Sequence, residues 1–576
     1  MKKLKLPGWS LLLLIGLVLI FPAPTLAVSE FLTNYQVVYQ VHSSGLTTVT
    51  QNVSLTNQAS HVYAAEYRLS TSSDQIQGVR AWDGLGPITA SLEESLGVKT
   101  VRLVFNEKVV GKDKTLRFGL EYETPELAIA KGQTWELRLP KLAEPETIDQ
   151  YQLILKVPAG FGQAAYILPQ PDQTQPLTYI FNKNAAAKGI IALFGNFQVF
   201  DFKISYPLTN KNSQKQAFSV ALPPDTASQK VVYQRLTPEP ENVLVDFDGN
   251  WLARYQLAAG ESILVEIQGT AQVFLEPVSR QAGPLPDDLS QYLQPQPYWP
   301  VDHPRIQELA QRLKTPLAIY RFVVDTLSYD YDRIGQAERL GALRVLDHPE
   351  MALCMEFTDL FITLARASGL AAREINGYAQ TENPRLQPLS LEQDILHSWP
   401  EYWDSQAEVW RSVDPTWEKT TAGIDYFHKL DLDHLAFVIH GQDSQRPAAP
   451  GSGPEKNVEV VFGSQPLKLR ENLTAVFAFP DQVLSGRPVS GQVTIKNTGN
   501  VSLNQLQLLI NDQPEEIEIL APFGQQTLTY TLAQVPWWQT KKEKIIVRLN
   551  GYSFEKEVVF RPFFLSFTDF LLKLIK

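Results

Sequence analysis

The chain has 576 residues, room for three or four domains at roughly 150 residues each. Lys plus Arg number 51 against 62 Asp plus Glu, a formal net charge of −11, with no basic domain of the kind a nucleic-acid binder shows. One cysteine, Cys354, excludes an internal disulfide, a multi-cysteine zinc site and an iron–sulfur cluster, and a chain 44% hydrophobic and 20% charged is built to fold.

The start of the chain reads as an export signal over residues 1–27. Lys2, Lys3 and Lys5 precede the apolar run LLLLIGLVLIF (11–21), which is too short to span a bilayer comfortably. Pro22 and Pro24 break that run, and Thr25-Leu26-Ala27 offers small residues around a cleavage point. An uncleaved membrane anchor is the other reading. Both send the bulk of the chain out of the cytoplasm, to a secreted, cell-surface or membrane-associated location.

From 28 to about 145 the pattern is strand-like. Tyr35, Val37, Tyr39 and Val41 alternate, Ser43-Ser44-Gly45 turns, and further runs follow at TVRLVF (100–105) and LRFGLEYE (116–123). A second β stretch extends from YQLILKV (151–157) to ESILVEIQGTAQVF (261–274). These predict two β-sandwich-like domains, 28–145 and 146–275. Six prolines between 276 and 300 predict a linker. A mixed segment, 301–441, then begins with helices. One opens at Asp302 or His303 and runs to Leu313. The next starts at Thr315-Pro316, an N-cap followed by proline at the first helical position.

A second linker, 442–466, contains RPAAPGSGP. Short strands at 473–479, 490–497, 506–511, 526–532 and 544–549 then predict a β-sandwich module over 467–560, a spacer or binding module without chemistry. In the tail, 561–576, Ser566, Asp569, Lys573 and Lys576 form one narrow stripe on an otherwise apolar helix. Its last fourteen residues would make a helix about 21 Å long, suited to a membrane interface or to packing on the preceding β module.

The chemistry concentrates in 301–441. Phe357, Leu360, Phe361 and Leu364 follow Cys354 at helical spacing, and Gly369 is placed to end that helix. Cys354 therefore stands at a helix start, where the helix dipole favours a thiolate, with Glu356 and Asp359 opposing it if they lie close. A lone cysteine is more often buried core filler. Downstream, LHSWPEYWDSQAEVWRSVDPTWE holds two strand-like runs around the polar turn DSQA. A four-residue loop over 404–407, with Trp403 facing Glu408, would set His397 directly opposite Asp414, within hydrogen-bond reach. The carboxylate would orient the imidazole and leave its other nitrogen free to take a thiol proton. A satisfied hairpin pair is the bland reading of His397 and Asp414. Together with the helix-start cysteine, the set favours nucleophile, base and orienting acid.

Three runs, CMEFTDLFITLARASGLAAREINGYA (354–379), HSWPEYW (397–403) and VDPTW (413–417), resemble the transglutaminase-like superfamily of papain-type thiol enzymes. The resemblance covers about 315–420 and implies an α+β papain-like core between the β domains. It implies Cys354 as nucleophile, His397 as general base and Asp414 as the residue that orients it, with Arg373, Gly377 and Tyr378 in structural positions. The family commonly has glycine two residues before the cysteine; here Ala352 stands there. Tyr329 and Tyr331 are candidates to reach the cleft as oxyanion donors beside the Cys354 backbone N–H. Asp330, Asp332 and Asp347 lack the spacing of a calcium ligand set, and no cofactor or metal site is read. Asp425, Asp431 and Asp433 read as a solvated acidic loop.

The expected function is an exported thiol acyl-transfer enzyme acting on protein or peptide amide carbonyls, with water or an amine as acceptor. The rival is a non-catalytic surface binding or adhesion protein with a transglutaminase-like module. Expected partners are a protein or peptide substrate and, through the tail, a membrane surface; nucleic acid is not expected.

Overall fold

On the strand Phe31–Val41 the alternating residues Val37, Tyr39 and Val41 are buried to 5% exposure or less. That strand pairs antiparallel with Thr47–Asn57 through a turn whose Gly45 has φ 87°. On its other side it pairs in parallel with Gln150–Lys156, Tyr39 facing Leu155. The computed structural model describes residues 30–562 except 72–74, 96–97, 279–287, 335–337, 380–395, 422 and 452–456. The signal read at 1–27 and the amphipathic run at 563–576 lie outside the described residues. Among those described, no helix is long and apolar enough to cross a membrane.

The chain is multi-domain and mostly β, with an α+β core between β units. The first unit has one apolar core running from Val37 to Phe194. The expected boundary near 145 is therefore wrong, because it falls inside this unit. Alternation marks a strand but not its partner, and a parallel pair is joined only through a long excursion of the chain. The second unit is built on the long pair Phe197–Thr209 and Ser262–Phe274. It also takes in the strand Val458–Phe462, with Phe200 opposite Phe462. The expected linker 442–466 thus contains a strand, one too short to stand out beside its Gly/Pro-rich neighbours. The C-terminal module is a sandwich of a three- and a five-stranded sheet closing over Val493, Ile495, Leu506, Ile545 and Val558.

Between them, helices surround a four-stranded sheet ordered Val409–Ser412, Leu396–Asp404, Ala372–Ala379, His434–His440. The helix Pro304–Arg312 is capped by His303, and Pro316–Thr326 by Thr315, whose Oγ1 accepts from Ala318 N at 3.2 Å. The helix Cys354–Ala367 is buried nearly all round, with Phe357, Leu360, Phe361 and Leu364 at 0% exposure. Each such side chain contributes about 1.5–3 kcal/mol over an exposed one. Gly369 follows with φ 80° and ends it.

Behind this helix Arg339 donates to Asp359 at 2.5 and 3.0 Å and to Glu374 at 2.9 Å. Trp299 Nε1 also donates to Asp359, at 2.8 Å, and Trp299 is fully buried. The end of the expected linker 276–300 is therefore part of the core; prolines shape its path without releasing it from packing. The second β unit clamps the edge strand His434–His440: Gln229 Oε1 accepts from Ala436 N at 2.8 Å and Asn250 Oδ1 from Ile439 N at 2.7 Å. Tyr166 and Leu193 of the first unit pack with Trp417, Tyr426 and Leu432 of the core.

Candidate active site

Cys354 is the first residue of its helix, so its backbone N–H has no intrahelical acceptor. The helix start is held from both sides. Glu356 Oε2 accepts from Leu353 N at 2.9 Å, its Oε1 accepts from Leu340 N at 2.8 Å, and Asp330 N donates to Ala352 O at 2.9 Å. Ala352 lies in extended backbone, φ −80° and ψ 136°, where alanine replaces glycine without strain. The sulfur-bearing side chain is 8% exposed. Of the two acids expected to oppose a thiolate, Glu356 is spent on backbone N–H groups. Asp359 is paired with Arg339; burial outweighs the pull of that guanidinium and leaves its carboxyl raised to about 7.

His397 sits on Leu396–Asp404 and pairs with Gly377 on the neighbouring strand. A Cβ at Gly377 would stand 2.1 Å from Leu435 O and 2.7 Å from the Trp399 ring, so only glycine lets the strands close here. His397 Nε2 meets Asp414 Oδ2 at 2.7 Å, both side chains at 0% exposure. Asp414 is the N-cap of the helix Pro415–Thr420: its Oδ1 accepts from Trp417 N at 3.0 Å, and Tyr320 Oη donates to its carbonyl at 3.0 Å. The run VDPTW is thus a cap, a proline at the first helical position, and an indole placed over the imidazole, ring centres 5.8 Å apart.

The two side chains meet, but not by the expected register. Trp403 pairs with Trp410 and Asp404 with Val409, so the loop is 405–408 and not 404–407. Asp404 Oδ1 accepts from Gln406 N and Ala407 N, which closes the turn one residue later, and Glu408 takes φ 54°. His397 has no hairpin partner; Asp414 reaches it from the helix cap.

Burial disfavours the charged His397 ring, but the Asp414 carboxylate and its hydrogen bond outweigh that and hold the imidazolium up to about 9. The Cys354 side chain also favours the proton on this ring. Nε2 being committed to Asp414, Nδ1 is the nitrogen left, and it is buried without a hydrogen-bond partner. Burial alone would raise the Asp414 carboxyl; His397 and His434 instead hold it well below the usual carboxylate range. Tyr329 is half-buried, bridged to Ala352, and its hydroxyl is pushed up first by burial and then by the Cys354 sulfur. Tyr331 packs against it with ring centres 4.9 Å apart and planes tilted by 60°, but is 55% exposed. Arg373 pairs with Glu401 at 2.7 Å and lies over the Trp410 ring.

One residue of the cluster is absent from the sequence reading. His434, first residue of its strand, places Nε2 3.0 Å from Asp414 Oδ2 and Nδ1 2.6 Å from Asp431 Oδ1. Asp431 and Asp433 are 4% and 8% exposed, so the solvated acidic loop expected for them is wrong. The signal available was a histidine three residues after an aspartate, directly before the apolar run LAFVI. His397, Asp414 and His434 have donor atoms within 4.8 Å of one another, as metal ligands do. Those atoms already hydrogen-bond one another, and we read no metal centre there.

A description of the Transglutaminase-like superfamily core matches residues 304–415. Uncharacterized proteins of Mycobacterium tuberculosis and Mycobacterium bovis are 28% identical over 114 residues, 19% of this chain and 32% of theirs. The chain thus spans about a third of the length of these curated relatives. A candidate cysteine protease from Cytophaga hutchinsonii is 19% identical, covering 48% of this chain and 93% of that one, with a TM-score of 0.32. The periplasmic domain of TgpA from Pseudomonas aeruginosa is 16% identical, covering 39% and 91%, with a TM-score of 0.21. Likeness at these scores carries nothing about chemistry. Residues 304–415 of this chain carry the core of the transglutaminase-like superfamily.

Proposed function

We propose that this chain is an exported thiol acyl-transfer enzyme acting on amide carbonyls of proteins or peptides, with Cys354, His397 and Asp414 as its triad. The observation that carries the reading is the buried His397–Asp414 pair beside the chain's one thiol, itself at a helix start. Cys354 gives its proton to His397 Nδ1, and the thiolate attacks the carbonyl carbon. The oxyanion accepts the Cys354 backbone N–H, with Tyr329, whose hydroxyl feels the Cys354 sulfur, as the second donor. As the tetrahedral intermediate collapses, His397 returns the proton to the leaving amine and a thioester remains. The acceptor, water or a primary amine, then loses a proton to His397, attacks the thioester and restores the thiol. Asp414 keeps the ring in the tautomer that presents Nδ1 to the sulfur.

The test is incubation of the exported portion with a glutamine-containing protein and a labelled primary amine. Label incorporation that is lost in Cys354→Ala identifies transfer; fragmentation lost in the same variant identifies hydrolysis. Neither activity, together with tight retention of a protein ligand by both forms, would replace this reading with the binding-protein alternative.

A further inference from the structure

His434 and Asp431 lie beyond the matched segment 304–415, yet they complete the hydrogen bonding of Asp414. Asp414 Oδ2 receives His397 Nε2 at 2.7 Å and His434 Nε2 at 3.0 Å, while its Oδ1 receives Trp417 N at 3.0 Å. His434 is itself held between two carboxylates, with Nδ1 at 2.6 Å from Asp431. An ionised carboxylate only accepts. Both nitrogens of His434 therefore donate, which makes the ring an imidazolium.

We propose that His434, gripped by Asp431, is a positioning residue of this site: a buried cation that shares with His397 the same oxygen of Asp414, so that Asp414 orients His397 while holding its proton less tightly. The inference rests on the thiol-enzyme reading above. A neutral imidazole could satisfy one carboxylate but not both, and Asp414 would then be free to swing toward a single partner. With the cation in place, one carboxylate is shared by two rings whose centres are 5.5 Å apart. The proton on His397 stays available for the leaving group.

The surroundings agree. Burial works against the charged His434 ring, but Asp431 and Asp414 overcome it. Asp433 lies beside them, pushed toward its neutral acid by burial and by Asp431. From the first β unit, Lys131 and Glu136 face Asp433, and Tyr166 feels both Asp433 and Asp431. Tyr426 packs its ring 6.4 Å from His434. On the remaining side Glu401, Arg411, His428 and Lys429 line the same cleft as Asp431 and His434. Of the groups in contact with His434, Asp414 and Asp431 are the two that accept its protons.

The test needs no substrate, because Cys354 is the chain's one thiol and every alkylated molecule reports on it. The rate of alkylation by iodoacetamide is followed against pH by intact mass. A thiolate paired with an imidazolium gives an alkaline inflection where His397 loses its proton, and His397→Ala should abolish it. At 5.5 Å and an effective dielectric constant of about 20–40, removing the His434 charge should raise that inflection by about one to two pH units in His434→Gln. Asp431→Asn, which takes away the carboxylate that holds the proton on His434, should raise it as well, by less, and serves if His434→Gln does not fold. An inflection abolished by His397→Ala but unmoved in His434→Gln, or lowered in Asp431→Asn, overturns this inference alone. Absence of a His397-dependent inflection in the unsubstituted protein overturns the thiol-enzyme reading beneath it.

Discussion

Replacing Asp414 by asparagine separates its two jobs. Asparagine caps a helix as well as aspartate does, so the bond to Trp417 N survives. What goes is the charge that faces His397 and His434. His397 stands at about 9 where an unperturbed imidazole has 6.5, and the cause that opposes burial is Asp414. At about 1.4 kcal/mol per pH unit, that elevation corresponds to about 3.5 kcal/mol favouring the imidazolium. Without the carboxylate, only the Cys354 side chain is left to oppose burial, and the ring falls back toward or below its ordinary value. The thiolate–imidazolium pair should become scarcer by a factor on the order of 100. The assay is alkylation of Cys354 by iodoacetamide near pH 6, where free thiols react slowly. Asp414→Asn should react on the order of 100-fold more slowly than the unsubstituted protein, and Asp414→Ala equally slowly but with about 1 kcal/mol less stability from the lost cap. Alkylation of Asp414→Asn within about threefold of the unsubstituted rate would refute the reasoning, since it would mean that Asp414 does not hold the proton on His397.

Stability should follow pH through the same groups. His397 and His434, raised to about 9 and about 10, contribute stability fully present below the unfolded imidazole value and lost as pH rises through the folded values. Asp414, depressed, contributes stability present above 3.8 and lost only in strong acid. Thermal melts followed by tryptophan fluorescence should therefore fall steadily between about pH 6.5 and about pH 10, and a flat profile would contradict the buried cluster. Gly377→Ala should cost about 3 kcal/mol, the upper range for overpacking, because the added Cβ meets Leu435 O and the Trp399 ring. It should also slow Cys354 alkylation by parting the strands that carry His397 and His434; a melt like that of the unsubstituted protein would refute the close approach. Arg339→Met should leave Asp359 and Glu374 buried without their shared cation, at a cost of about 3–5 kcal/mol in urea unfolding. An unchanged midpoint would show that the network is balanced without it.

Much of the candidate site was legible because its signals are short-range. Cys354 at a helix start, Thr315-Pro316 as a cap and Gly369 as a stop are each decided by a few adjacent residues. Asp414-Pro415 belongs to the same class, although the strand pattern before it points to a strand end facing His397 and not to a helix cap. Hairpin register was not legible: the Asp404 side chain closes its own turn and moves every pairing by two positions. A shift of two leaves each side chain on its face, so the alternating pattern could not reveal the error.

Taken alone, the sequence determined the helix that opens at Cys354, the two capped helices before it, the lone thiol and the family of the central segment, because periodicity, capping and motif spacing are properties of neighbouring residues. The tertiary structure alone decided that Phe31–Val41 pairs with Gln150–Lys156, that Val458–Phe462 returns to the second β unit, and that Asp431 and His434 are buried against Asp414. Burial and charge pairing depend on what the rest of the chain brings alongside. An aspartate-rich loop looks solvated until the first β unit and Trp417 cover it, and only then does His434 become a partner to Asp414.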